Sequence, residues 1–259
     1  MTEGTMTLTD DVALVTGAGR GIGKAIAGLL ARSGAAVAVN DCDPATAEAT
    51  CRELVDRGHR AAAFVADVAD QDAVNDMVDD CVRQLGDISV LVNNAAAPAE
   101  LVPFVETTLA VQRAEMVTLL GVLHCTRSVL PSMIEKRRGR IVNISSVSGR
   151  SGAPGRAIYS GANAGIEGFS RALSREVGRC GVRVNCVSPG ATDSPRFKAR
   201  APEVRRNHRR IISLDRFAEP EEIAEAVLFL VGERSSYVTG AVIDVDGGFA
   251  GYLPDKDDA

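Results

Sequence analysis

Three features of this 259-residue chain predict an α/β fold: one doubly wound, parallel sheet of seven strands with helices on both faces. Short runs of valine, isoleucine and alanine alternate with longer amphipathic stretches along the whole length. The short runs are mostly continuous rather than alternating, as strands covered on both faces require. The composition is 46% apolar with 25 glycines and no tryptophan, which suits close packing of helices on a sheet.

The elements follow in order. The first strand, VALVT (12–16), runs into a glycine-rich turn and the helical stretch GKAIAGLLARSG. AVAVN (36–40), AAAFV (61–65), ISVLV (88–92), RIVNIS (140–145) and VRVNCV (182–187) are the next five strands, and AVIDV (241–245) is the last, after the helical EEIAEAVLFLVGE. Strands separated by helices imply βα repeats with right-handed crossovers. No linker or repeat interrupts them, so the chain reads as one domain over 1–259, with flexible ends at 1–10 and 252–259, the latter including the acidic PDKDDA.

Composition excludes several roles. The net charge of −5 argues against nucleic acid as a general partner. No run approaches a membrane span of ~18 apolar residues, and the polar start MTEGTMTLTDD lacks a signal-peptide core. The cysteines at 42, 51, 81, 125, 180 and 186 have no metal-ligand spacing and read as reduced residues filling apolar gaps. These features place the protein in the cytoplasm and predict no metal.

The turn after the first strand is TGAGRGIG, from Thr16 through Gly17, Gly19, Arg20, Gly21 and Ile22 to Gly23. Glycines between a strand and a helix let backbone N–H groups approach a pyrophosphate, which the helix N-terminus also attracts. Asp41 ends the second strand, 18 residues after Gly23. A carboxylate there accepts hydrogen bonds from the adenosine ribose and repels a 2′-phosphate, favouring NAD over NADP. Arg20 points the other way, since a base beside the ribose can hold that phosphate. Asp67 and Val68 follow the third strand and suit the adenine; Asn93, Asn94 and Ala95 follow the fourth and suit the floor of the cofactor site.

With these motifs the chain resembles the short-chain dehydrogenase/reductase family over about residues 10–250. TGAGRGIG, DV (67–68), NNAA (93–96), ISS (144–146), YSGAN (159–163), SPG (188–190) and VTGAVIDVDGG (238–248) carry the resemblance. It implies a Rossmann-type domain, with Tyr159 as the catalytic tyrosine and Ser146, 13 residues earlier, as its serine partner. It also implies that Pro189, Gly190, Thr192 and Ser194 hold the nicotinamide carboxamide, that 191–213 forms a substrate lid, and that the protein assembles as a homotetramer through the helices carrying 107–135 and 157–179.

Three departures from the family pattern stand out. Asn163 replaces the lysine one helical turn after the tyrosine, Thr118 replaces the asparagine of the helix after the fourth strand, and Ala96 replaces a glycine. The first two belong to one proton-relay system. An ammonium beside a phenol favours the phenolate; without it, alcohol oxidation should suffer more than carbonyl reduction. Asn163 could still donate to a ribose hydroxyl. His124 reads as a packing or surface residue rather than a substitute base, His208 as solvated, and His59 as a loop residue.

Residues 196–210, RFKARAPEVRRNHRR, carry seven Arg/Lys and one Glu. They form either a solvated helical face or an electropositive mouth for an anionic small-molecule substrate such as a carboxylate, a CoA thioester or a carrier-protein phosphopantetheine. The function expected is NAD-dependent oxidation or reduction at a C–O centre through Tyr159 and Ser146. Two alternatives remain: a non-redox cyclase, dehydratase or isomerase reusing the pocket, and a catalytically silent nucleotide-binding subunit.

Overall fold

A computed structural model describes residues 7–97 and 101–249. Seven strands, β1 (Val12–Val15), β2 (Ala36–Asp41), β3 (Ala61–Val65), β4 (Ile88–Asn93), β5 (Gly139–Ile144), β6 (Val182–Pro189) and β7 (Val242–Val245), form one parallel sheet in the order β3-β2-β1-β4-β5-β6-β7. The expected strands are all present, with ends displaced by at most two residues. The order reverses between β1 and β4, which opens a crevice at their carboxyl ends, the place where such sheets bind ligands.

The helices are α1 (Gly21–Arg32), α2 (Pro44–Asp56), α3 (Gln71–Leu85), α4 (Leu109–Glu135), α5 (Ser148–Ser151), α6 (Ala157–Val177), α7 (Pro195–Lys198), α8 (Pro202–Arg210) and α9 (Pro220–Val231). Successive strand residues point to opposite faces, so β1 divides its side chains between two cores. Ala13 and Val15 pack with Ile26 and Leu30 of α1, Leu54 of α2 and Ile223 and Val227 of α9. Val12 and Leu14 pack with Val74 and Met77 of α3, Cys125 and Val129 of α4 and Leu173 of α6.

Helix ends follow local chemistry. Asp43 accepts from Ala45 N–H, Asp70 from Asp72 and Ala73 N–H, and Thr108 from Val111 N–H, each taking up amide protons that an opening helical turn leaves unpaired. The N-caps of α1 and α6, Arg20 and Arg156, make no such side-chain bond. At the other end of α9, Arg183 of β6 donates to Leu230 O at 2.8 Å and Gly232 O at 3.1 Å, a cation placed where the helix dipole is negative.

Several expectations are corrected. Leu8 is buried and its N–H donates to Ser33 O at 2.7 Å, so the chain is already packed before residue 10; the rest of the expected flexible ends, 1–6 and 252–259, lies outside the described residues. By length and composition α4 is apolar enough to cross a membrane, although polar residues break its apolar runs; here it lies against the sheet with Gly121, Val122, Cys125 and Val129 buried. Cys42 is exposed and fills no gap. Cys81, Cys125 and Cys186 do fill gaps, and burial pushes their thiols up to about 12.

Candidate active site

The glycine turn is shaped for a close backbone approach. Gly17 and Gly21 hold φ of +62° and +56°, the left-handed region in which glycine alone is at ease. A Cβ on Gly23 would lie 2.2 Å from Gly17 O, and one on Gly17 would lie 2.9 Å from Ala95 Cα. Across the crevice the Thr16 hydroxyl accepts from the N–H groups of Asn94 and Ala95, both at 3.0 Å. Asn94 Nδ2 donates to Thr16 O at 2.9 Å and Gly17 O at 3.1 Å. Asn94 therefore braces the turn from below, while Asn93 is buried and donates to Asn143 at 2.8 Å.

Asp41 is buried. Its Oδ2 accepts from Gly19 N–H at 3.0 Å and its Oδ1 from Asp43 N–H at 3.2 Å. A carboxylate has about four acceptor sites, so capacity remains for hydroxyl donors. Arg20 is exposed at the mouth of α1. At the end of β3, Asp67 accepts from Ala69 N–H at 2.9 Å, and Val68 is buried against Gly121, where a Cβ would come within 2.6 Å of Val68 Cγ2. His124 Nδ1 bonds Val68 O at 2.9 Å, which makes it a packing residue of this corner, as expected.

A nicotinamide nucleotide fits this arrangement. The cradle has no room for side chains, the α1 amides carry no side-chain cap, and Ser194 Cβ stands 3.5 Å from where a Cβ on Gly21 would be. The segment expected to hold the carboxamide is tied to the sheet. Gly190 N–H donates to Val245 O at 3.0 Å, Pro189 O accepts from Val147 N–H at 3.2 Å, and the buried Thr192 donates to Gly190 O at 3.2 Å. Ser194 caps α7 by accepting from Phe197 N–H at 3.4 Å.

Ser146 follows β5, nearly buried, and its hydroxyl accepts from Ser148 N–H at 3.2 Å. The short α5 then presses onto α6: a Cβ on Gly149 would lie 2.9 Å from Ala164 N and 3.1 Å from Asn163 Cβ. This contact brings the serine loop against the helix that carries Tyr159. Asn163 is buried, and its Nδ2 donates to Tyr159 O at 2.8 Å. One N–H of the amide is thus turned back onto its own helix; its second N–H and its carbonyl oxygen keep capacity for further partners. Thr118 is buried on α4 and its hydroxyl accepts from Ala97 N–H at 3.2 Å, holding the loop after β4.

Two partners of Tyr159 had no place in the sequence reading. Glu115, buried on α4, accepts the Tyr159 N–H at 3.0 Å through Oε2. The Arg156 guanidinium stands over the phenol ring, 5.8 Å from its centroid. Glu115 lies three residues before Thr118, the spacing of a shared helical face; an acidic residue there was the available signal.

The basic segment folds as α7 and α8. Arg205 donates to Asp193 at 2.8 Å and lies over Phe197 and Phe217; Lys198 also pairs with Asp193, and Arg209 grips Asp215 through two nitrogens. His208 is half-buried with its ring edge-on to Phe197, so it is not the solvated residue expected. Arg206 and Arg210 are exposed and make no ion pair among the described residues. A cavity of about 420 Å³ lies behind the nucleotide turn, bordered by Lys24, Glu53, Asp193 and Lys198; neither Ser146 nor Tyr159 reaches it. Among the described residues no cluster of His, Cys, Asp or Glu could hold a metal ion.

Comparison with known proteins agrees with this geometry. Residues 17–250 match the family model described as Enoyl-(Acyl carrier protein) reductase. The 3-oxoacyl-[acyl-carrier-protein] reductase FabG of Thermotoga maritima is 37% identical over 94% of this chain and 99% of its own. The (2S)-[(R)-hydroxy(phenyl)methyl]succinyl-CoA dehydrogenase subunit BbsD of Thauera aromatica is 39% identical over 95% of this chain and 100% of its own. Among solved structures, a 3-oxoacyl-[acyl-carrier protein] reductase from Brucella melitensis superposes with a TM-score of 0.90 at 34% identity, covering 95% of this chain and 94% of that one.

Proposed function

The chain belongs to the short-chain dehydrogenase/reductase family of oxidoreductases, and from that premise we propose that it reduces the ketone of an anionic acyl thioester carried by coenzyme A or an acyl carrier protein. The observation that carries this reading is the joint survival of Ser146 and Tyr159 beside an intact nucleotide cradle, with no cation at position 163. Relatives named for acyl-carrier-protein and succinyl-CoA substrates support the thioester, and the exposed Arg206 and Arg210 support its charge.

When bound, the nucleotide supplies the hydride. Ser146 Oγ–H donates a hydrogen bond to the ketone oxygen, and Tyr159 Oη–H gives that oxygen its proton as the alcohol forms. With an amide one turn away and the Arg156 guanidinium over its ring, Tyr159 acts in this reading as the acid of a ketone reduction. Thr118 holds the loop after β4 by accepting from Ala97 N–H.

The cofactor preference we infer is NAD(H) over NADP(H). Asp41 is fixed between the N–H groups of Gly19 and Asp43, and a 2′-phosphate would meet its charge. Calorimetry should find NADH bound more tightly than NADPH, with Asp41→Asn narrowing the gap. Equal or tighter NADPH binding by the unaltered protein would make Arg20 the deciding group. We place the reaction in the cytoplasm, in keeping with six free cysteines. We also infer a homotetramer through α4 and α6, where Leu109 and Leu120 are exposed.

A further inference from the structure

The first turn of α6 presents amide protons that its own N-cap residue, Arg156, does not satisfy. One of them, the N–H of Tyr159, is taken by Glu115 from a different helix at 3.0 Å. Glu115 is 5% exposed, in a place where a carboxylate is costly unless it is hydrogen-bonded. The positive end of the α6 dipole offsets part of that cost. On the other side of the same residue, Tyr159 O accepts from Asn163 Nδ2 at 2.8 Å. The peptide groups flanking Tyr159 are therefore held from both directions, by side chains of α4 and α6.

We propose that Glu115 is a positioning residue for the reaction: it fixes the backbone of Tyr159 across the α4–α6 contact and so sets where the phenol meets the substrate oxygen. The family lysine would act on the phenol by charge. This site, with asparagine in its place, depends on holding the tyrosine still. Gly165 lies in the same contact, since a Cβ there would stand 3.1 Å from Leu119 Cδ2 and press on that side chain. The role needs an acceptor at Glu115 rather than its charge, and this separates it from a general electrostatic effect. The inference rests on the proposed reductase reading only in its kinetic part.

The experiment compares the full-length protein with Glu115→Gln, which keeps an acceptor, and Glu115→Ala, which does not. Glu115→Leu replaces the alanine variant if that one does not fold. Amide hydrogen exchange at Tyr159 is read by NMR, and reduction of acetoacetyl-CoA by NADH is read in the same samples. Without the acceptor, exchange should quicken and kcat fall, each about tenfold, the size of a lost helix cap, with KM within about twofold because substrate contacts are untouched. Glu115→Gln should restore most of both. Unchanged kcat in Glu115→Ala, a loss confined to KM, or a glutamine variant as impaired as the alanine one would overturn the proposal. If the unaltered protein consumes no NADH with this thioester, the proposed function fails, and exchange at Tyr159 alone decides: protection unchanged in Glu115→Ala rules the clamp out.

Discussion

At the scale of single residues the site is defined by what surrounds Tyr159. The sequence made one part of this legible: a neutral residue at 163 and a threonine at 118 stand where the resemblance sets a lysine and an asparagine. It could not show that one N–H of the Asn163 amide bonds back to Tyr159 O, because side-chain bonds to nearby backbone carbonyls leave no mark in a residue pattern. Glu115 was missed for a similar reason, since a lone acidic residue in a helix normally reads as a solvated one. A direct test restores the family pair. Asn163→Lys with Thr118→Asn should raise alcohol oxidation at neutral pH by about tenfold or more, as an ammonium favours the phenolate, and should change ketone reduction much less. No gain in oxidation, measured with a panel of secondary alcohols and NAD, would mean that the lost cation does not limit this enzyme.

At the scale of elements, strands were easier to read than the basic segment 196–210. The central strands are buried on both faces, so their pattern is written in valine, isoleucine, leucine and alanine; the basic segment has no such pattern, and its charge run concealed two short helices. Within it, Arg205 and Arg209 are committed to Asp193 and Asp215. Arg206→Gln with Arg210→Gln should therefore raise KM for acetoacetyl-CoA severalfold and weaken its salt dependence, whereas Arg205→Gln should chiefly lower Tm. Steady-state kinetics at two ionic strengths, with melting curves, separates the pairs, and the reverse pattern contradicts the assignment. A second element-level test concerns α9, where Glu222 accepts from Arg216 at 2.7 Å on each oxygen and from Glu219 N–H at 2.8 Å. These bonds, the Arg216 ones foremost, hold its carboxyl down to about 2 from an ordinary 4.5. A carboxyl with a depressed folded-state pKa stabilises above the unfolded value and loses that contribution as pH falls through the folded one. Glu222→Gln should melt below the unaltered protein near neutrality, and the gap should close as pH falls from 4.5 towards 2. A gap that stays constant across that window would show that the carboxylate's charge is irrelevant there.

At the scale of the whole molecule, the parallel order β3-β2-β1-β4-β5-β6-β7 brings residues from 16 to 194 to one edge of the sheet. That convergence explains why motifs scattered through the sequence could be read as one site: Gly17, Asp41, Asp67, Asn94, Ser146 and Gly190 each lie at or just after the carboxyl end of a strand. What the sequence could not supply was the contact between helices that strand order leaves open, such as α4 against α6, where Glu115 acts. The central claim is that Tyr159 delivers the proton in a ketoacyl thioester reduction although no lysine assists it. A single-turnover experiment tests it most directly: enzyme with bound NADH is mixed with acetoacetyl-CoA, and the near-ultraviolet band of the reduced nicotinamide is followed for the unaltered protein and for Tyr159→Phe. The account predicts that the band decays in the unaltered protein and that the phenylalanine variant is slower by about a hundredfold or more, the contribution of a positioned general acid. A band that persists in the unaltered protein, or one that decays equally fast in both, would contradict it.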